Sequence, residues 1–560
     1  MTRTRSRGRR PLLRPAARVS LILLAALATS VLPHPAAHAG GPTPGRDAPA
    51  VEDRVRTHAG WVRGTRTDAH RTFHGIPYAD PPTGAHRWAA PRPVSPWAGV
   101  RDATRPGPLC PQVPSPYTPS ASTEEDCLVL DVTAPATRGG RGAPVLVWIH
   151  GDGAVGAGSF FDGRRLADRG TVVVTVNYRL GIFGGFAHPG LPGSGTFGLQ
   201  DQQAALHWVR RNAAAFGGDP TRVTVAGSSF GAAAITAHLT SPTARGLFDR
   251  AVLASGEGLM DMPAGAMGPD VPGYRWYVWR TLREVEEASA HITAPLGCAH
   301  ADPAAGLRCL RALPVARILE VPSIMNVFQA FAHGTPVLPE LPPEALRAGR
   351  LHRVPVLSGA TLDEHRTFVG MQYDAVGTPF TREDYATALH TAFGADAPRV
   401  RAAYPLRDFP SPALAWATVV TDRMWALGTD AQHTVLARHV PVYAYEFADR
   451  DAPMYLPLSG DFDFGAFHAG DTPYVFEDPQ AQPLFTPAQL RLSDTMTDQW
   501  AAFADTGAPV GAGLPPWPRH RPAADVPYTQ SLAPDRMGPV DYARTHRLGF
   551  WRGLPSTPAR

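Results

Sequence analysis

The 560-residue chain is 44% hydrophobic and 18% charged, an ordinary globular composition with ample apolar material for a large core. Its net charge of +4 is local: seven of the 53 basic residues are arginines among the first 39 positions, so the rest carries 46 basic against 49 acidic residues, or −3. Without a basic excess the body of the chain has no electrostatic footprint for nucleic acid or an anionic membrane surface.

In chain order, the first element is a basic stretch (Arg3 to Arg18) followed by an apolar run, Val19 to Leu32, and the small-x-small tripeptide Ala37-His38-Ala39 before Gly40. This pattern predicts a signal peptide over 1–39 and an exported, extracellular mature chain over 40–560. The run is too short to span a bilayer, so no stable membrane anchor is expected. The pair Arg9-Arg10 leaves a twin-arginine route open beside the general one. Four cysteines suit an oxidising compartment and allow three pairings. Cys110–Cys127 with Cys298–Cys309 is favoured because each closes a short local loop, worth about 2–3 kcal/mol in the chain-entropy model. Neither spacing is that of a zinc site, and no metal is expected.

Short apolar runs without polar alternation recur at Val145–Ile149, Val172–Val176, Val223–Ala226, Ala251–Ala254, Val354–Leu357 and Val442–Tyr445. Such runs mark strands buried on both faces. A helical stretch, Leu199–Phe216, lies between two of them, and the alternation predicts an α/β fold with a large, mostly parallel sheet flanked by helices. No linker or repeat argues for a domain break after Val51. The Gly-, Pro- and Met-rich stretch at roughly 256–353 reads as an irregular cap inserted over the sheet edge.

Gly227-Ser228-Ser229-Phe230-Gly231 follows the predicted strand Arg222–Ala226 and precedes the helix-prone Ala232–Leu239. In a strand–turn–helix setting this G-x-S-x-G pattern exposes the central serine oxygen at a helix N-terminus, where developing negative charge is favoured. Upstream, the strand Val145–Ile149 runs into His150-Gly151-Asp152-Gly153-Ala154, where the backbone N–H groups of Asp152 and Gly153, with that of Phe230, are candidates for an oxyanion hole. The same loop formally contains a dinucleotide fingerprint, Gly151-x-Gly153-x-x-Gly156. The residues after it start a helix poorly, and the next strand ends in Asn177-Tyr178-Arg179 with no acid for a ribose hydroxyl. Arg179 keeps a 2′-phosphate cofactor open as a rival.

From about Val51 to Gly553 the chain resembles the type-B carboxylesterase family, which includes cholinesterases and fungal lipases. The likeness rests on Gly75-Ile76-Pro77-Tyr78-Ala79 with Pro82, Glu125-Asp126-Cys127-Leu128, Asn177-Tyr178-Arg179, Asp201-Gln202, Phe216-Gly217-Gly218-Asp219-Pro220, and Trp500 through Gly507. It implies the α/β-hydrolase fold, a small-molecule ester substrate, no cofactor, the two disulfides above and an ion pair between Arg87 and Glu125. It also implies a triad in the order Ser229, Glu364, His468. Asp363-Glu364-His365 stands where the family has D-E-G, and Gly465-Ala466-Phe467-His468-Ala469-Gly470 carries the histidine motif with Ala469 for glycine. The expected chemistry is a two-step acyl transfer.

Three departures surround the serine: Ser228 stands for the family glutamate, Phe230 for alanine, and Asp152 for an oxyanion-loop glycine. A carboxylate about 6 Å from an oxyanion costs about 3 kcal/mol at an effective dielectric near 20, so Asp152 is expected to point away. The ring of Phe230 is expected to narrow the acyl pocket. The loop from Cys110 to Cys127 has no tryptophan, where cholinesterases carry their cation-binding ring, which disfavours a choline ester; short- or medium-chain carboxylic esters are the default expectation, and the apolar cap segments around Trp276, Trp279 and Phe328 equally suit aromatic or lipid esters. Two other functions stay open on the same residues: an impaired family member acting as a binding protein, and an acyltransferase.

Overall fold

The computed structural model describes residues 51–556 apart from 116–117, 138–139, 257, 375 and 459–461. The expected signal peptide lies outside the described residues. The strands in chain order are β1 (Val51–Arg56), β2 (Trp61–Arg66), β3 (His70–Pro77), β4 (Val100–Asp102), β5 (Val129–Pro135), β6 (Ala143–Ile149), β7 (Val172–Val176), β8 (Gly218–Ser228), β9 (Arg250–Ala254), β10 (Trp279–Thr281), β11 (Phe331–His333), β12 (Val356–Thr361), β13 (Val442–Phe447), β14 (Gln530–Leu532) and β15 (Gly538–Pro539). Thirteen form one sheet in the order β1-β2-β3-β5-β7-β6-β8-β9-β12-β13-β14-β15, with β4 beside β2.

The strands from β7 through β6, β8, β9, β12 and β13 to β14 run parallel. Every residue of β7, β12 and β13 is buried, because helices cover both faces of a parallel sheet and leave no polar side. Five of the six apolar runs lie within observed strands. The sixth is shifted: β12 begins at Val356, and Val354-Pro355 precedes it. The predicted helix Leu199–Phe216 is the helix Phe197–Asn212 followed by a 3-10 turn, Ala213–Phe216, which ends on Gly217 at φ 91°.

The segment between β9 and β12 is more regular than expected. It contains the helices Leu282–Thr293 and Pro303–Ala312 and the parallel pair β10–β11. Thr281 and Glu284 cap the first helix reciprocally, and Asp302 caps the second through the amides of Ala304 and Ala305. Its apolar side chains, among them Val285, Ile318 and Phe328, belong to the same core as β6 and β8.

Both expected disulfides are present, Cys110–Cys127 and Cys298–Cys309, with Cα separations of 5.0 and 5.5 Å. Arg87 makes the expected pair with Glu125 through two contacts of 2.6 and 2.7 Å, and donates to the carbonyl of Leu313 beyond the second disulfide. Among the described residues no helix is long and apolar enough to cross a membrane.

Candidate active site

Ser229 sits where β8 ends and the helix Phe230–Thr240 begins, at φ 57° and ψ −124°. The turn is affordable only because its flanks are glycines. A Cβ on Gly231 would lie 2.1 Å from the carbonyl oxygen of Ile149, and one on Gly227 would lie 2.6 Å from it. The Ser229 amide donates to the carbonyl of Ala254 on β9, which ties the turn to the carboxyl ends of the parallel strands, where open α/β sheets bind ligands.

Glu364 follows β12 and is fully buried, with its Oε1 accepting from the Thr361 amide at 2.7 Å. Its Oε2 meets Nδ1 of His468 at 2.5 Å. The two residues are brought together by Asp363, which sequence reasoning passed over. The Asp363 amide donates to the Ala466 carbonyl at 3.0 Å, and the Ala466 amide returns a bond to Oδ2 of Asp363 at 3.1 Å. The His468 ring packs against Phe368 and Trp425, with centroids 5.1 and 4.9 Å away. Nothing in local sequence pointed to either ring.

His468 and Ser229 open on one cavity of about 460 Å³, walled by Phe161, Phe368, Tyr455 and Phe476. Asp152 and Gly151 border it from β6. A Cβ on Gly151 would lie 3.0 Å from that of Ser229, so only glycine lets the loop approach this closely. In the loop, the Gly153 amide donates to the Gly151 carbonyl at 3.0 Å. Burial lowers His150 to about 4, leaving it neutral, and its Nδ1 donates to the Gly151 carbonyl.

The loop does not bind a dinucleotide phosphate in the manner of a βαβ fold. A 3-10 turn, Gly158–Phe160, and a four-residue helix, Arg164–Ala167, follow it in place of a helix starting at the loop, and the Gly156 amide is taken by Gln112 Oε1 at 2.7 Å. Arg179 is occupied by buried Asp201 through two contacts of 2.7 Å, so it has no fork to offer a 2′-phosphate. Among the described residues no group of three His, Cys, Asp or Glu side chains is arranged to hold a metal ion.

The profile of the carboxylesterase family matches residues 51–551. The chain belongs to the carboxylesterase family. It is 35% identical over 493 residues to para-nitrobenzyl esterase of Bacillus subtilis (strain 168), covering 83% of this chain and 92% of that protein. It is 32% identical over 508 residues to acylcarnitine hydrolase of Mus musculus, covering 85% and 87%, and 32% identical over 494 residues to fumonisin B1 esterase of Sphingopyxis macrogoltabida, covering 84% and 85%. As a member of the carboxylesterase family it is a carboxylic ester hydrolase.

The positions that depart from the family pattern each have a local solution. Asp152 adopts φ 68°, and its Oδ1 turns back to accept from the amides of Ala154 and Val155 at 2.8 and 3.0 Å. Gln329, from the segment before β11, bonds both that oxygen and the Asp152 carbonyl, at 3.1 and 2.9 Å. Burial nonetheless raises the Asp152 carboxyl to about 6, against the pull of these donors. His365, the family's glycine position, is lowered by burial to about 3 and fits as a neutral ring: Nε2 donates to the Ala266 carbonyl and Nδ1 accepts from Trp425. Ala469 takes φ 65°, and its carbonyl accepts from the Tyr455 hydroxyl. The cap rings do not meet the expectation set for them. Trp276, Trp279 and Phe328 do not wall the cavity; Trp279 donates to the Gly258 carbonyl and packs on Phe331, and Phe328 lies behind Phe230. Trp279 and Phe328 are buried in the main core, whereas Trp276 is partly buried, with the guanidinium groups of Arg275 and Arg347 4.2 and 4.7 Å from its ring centroid.

Proposed function

We propose that this protein is an exported serine esterase in which Ser229 is the nucleophile, His468 the general base and Glu364 the residue that orients it. The observation that carries this reading is the bond from His468 Nδ1 to Glu364, made while the imidazole opens on the same cavity as the strained Ser229. With Nδ1 bound to a carboxylate, Nε2 is the nitrogen available to the serine.

In the first step Ser229 Oγ bonds to the ester carbonyl carbon and its proton passes to His468 Nε2. The carbonyl oxygen becomes an oxyanion, stabilised by the backbone N–H groups of Asp152 and Phe230, with that of Gly153 joining only by giving up its bond to the Gly151 carbonyl; each such donor is worth about 2.7–4 kcal/mol of barrier. Collapse breaks the bond to the alkoxy oxygen, which takes the proton from His468 and leaves as the alcohol. Water then repeats the sequence on the acyl-enzyme, releasing the acid and restoring Ser229. Export rests on the basic and apolar pattern of 1–39, and two disulfides are in keeping with it.

Turnover of 4-nitrophenyl acetate tests the assignment. Ser229→Ala and His468→Ala are expected to lose about 10⁴-fold or more in kcat, and Glu364→Gln a loss approaching that scale. Equal turnover by wild type and Ser229→Ala refutes the reading.

A further inference from the structure

A second cavity opens toward the other end of the parallel strands from Ser229. Ser229 and Glu364 follow the carboxyl ends of β8 and β12, whereas this cavity is bordered by Tyr443, the second residue of β13, which runs parallel beside β12. It holds about 500 Å³, within the usual range of small-molecule sites. Its other walls come from the segment that leads into β14, and that segment is tied down. The Trp517 indole nitrogen donates to the Ala444 carbonyl at 3.1 Å, the His520 amide to the Val442 carbonyl at 2.8 Å, and the Tyr528 hydroxyl to Gln530 Oε1 at 2.6 Å.

The wall joins exposed apolar surface to charge of one sign. Val510 and Val526 border the cavity while 43% and 55% exposed, beside the rings of Tyr443, Trp517 and Tyr528. Arg519 and Arg521 line it and no carboxylate does; Asp525, the nearest acid in sequence, is not part of the wall. Arg519 donates from Nε to the Tyr443 hydroxyl at 3.4 Å, which sets its guanidinium beside the ring wall. Among the described residues neither guanidinium has an ion-pair partner, whereas Arg87, Arg179 and Arg222 are each held by carboxylates. We propose that this cavity binds an organic carboxylate with an apolar body, of the medium-chain fatty acid class. A guanidinium takes a carboxylate through two parallel N–H bonds, and the valines and rings cover the chain. The site stands apart from the catalytic residues and does not depend on the assignment of Ser229.

The test is calorimetric titration of the full chain with sodium octanoate, with acetate and 1-octanol as the two halves of the ligand. Octanoate is also free to enter the cavity at Ser229, so the site is read as the binding that Arg519→Ala and Arg521→Ala remove. Each of these variants is expected to weaken that binding at least about 10-fold, and Val526→Asp, which sets a carboxylate on the wall, to abolish it. Acetate and 1-octanol should not bind at the concentrations at which octanoate does. Octanoate should raise the thermal midpoint of wild type and not that of Arg519→Ala/Arg521→Ala, while the midpoints without ligand stay the same. Turnover of 4-nitrophenyl acetate should be unchanged in all three single variants. Equal octanoate binding by wild type and the double variant overturns the proposal, as does binding of 1-octanol as tight as that of octanoate. Sedimentation showing a wild-type dimer that Val526→Asp dissociates, with no octanoate bound at this site, overturns it in favour of an interface between copies of the chain.

Discussion

Asp152 puts a carboxyl group where the family has a glycine, and its surroundings make it a strut of the loop. Its Oδ1 gathers the Ala154 and Val155 amides and Gln329, and aspartate tolerates φ 68° better than most side chains. Asp152→Ala removes all three bonds, and kcat is expected to fall about 10–100-fold with little change in KM, because the loop amides act on the transition state. Asp152→Asn keeps the acceptor. Burial raises Asp152 to about 6, so it is neutral below that pH and a buried charge in the loop bordering the Ser229 cavity above it. The ratio of Asn-variant to wild-type kcat should therefore be near one below pH 6 and climb above it; a ratio flat across pH 5–8 contradicts this.

Within the elements, the serine turn shows how glycine spacing becomes geometry. Gly231→Ala drives a Cβ to 2.1 Å from the Ile149 carbonyl, which is backbone and cannot yield without parting β6 from β8. Loss of at least about 100-fold in kcat/KM is expected, with a lower thermal midpoint, whereas Gly549→Ala, with nothing within 4 Å, should change neither. The turn was legible because its signal lies within five residues. The parallel strands were legible for a related reason, since burial on both faces leaves unbroken apolar runs. The amino-terminal meander was not. In β2 and β3 buried and less buried positions alternate, and residues such as Arg63, Arg66 and Arg71 interrupt the apolar pattern. The cap helices were hidden by the surrounding Gly and Pro, although the Thr281–Glu284 capping box was there to be read.

Across the whole molecule, the carboxyl-terminal segment is held to the sheet by a buried ionic cluster. His546 bonds Asp422 through Nδ1 at 2.7 Å and Glu446, on β13, through Nε2 at 2.6 Å. The Tyr404 hydroxyl donates to Asp422 and accepts from Trp551, in the last helix. Burial alone would lower His546, but the two carboxylates outweigh it and push the ring up to about 10. In the unfolded chain a histidine titrates near about 6.5, so this stabilisation is complete below that pH and is lost as pH rises toward 10. Breaking such a cluster costs about 3–5 kcal/mol. The thermal midpoint of His546→Gln should therefore fall well below wild type at pH 6, with a gap that narrows steadily to pH 10. A gap independent of pH would show that the charge plays no part.

The amino-acid sequence by itself determined the class of fold, the positions of the serine turn and the triad candidates, and both disulfide pairings. Each is written in short-range patterns or in family motifs matched position by position. Only the tertiary structure decided where Asp152 and Phe230 point, that Trp279 faces inward, and that Asp363 sets Glu364 beside His468. Those outcomes depend on partners far along the chain, such as Gln329 for Asp152, Phe331 for Phe230 and Ala466 for Asp363, and a local pattern carries no record of what folding brings to its other side.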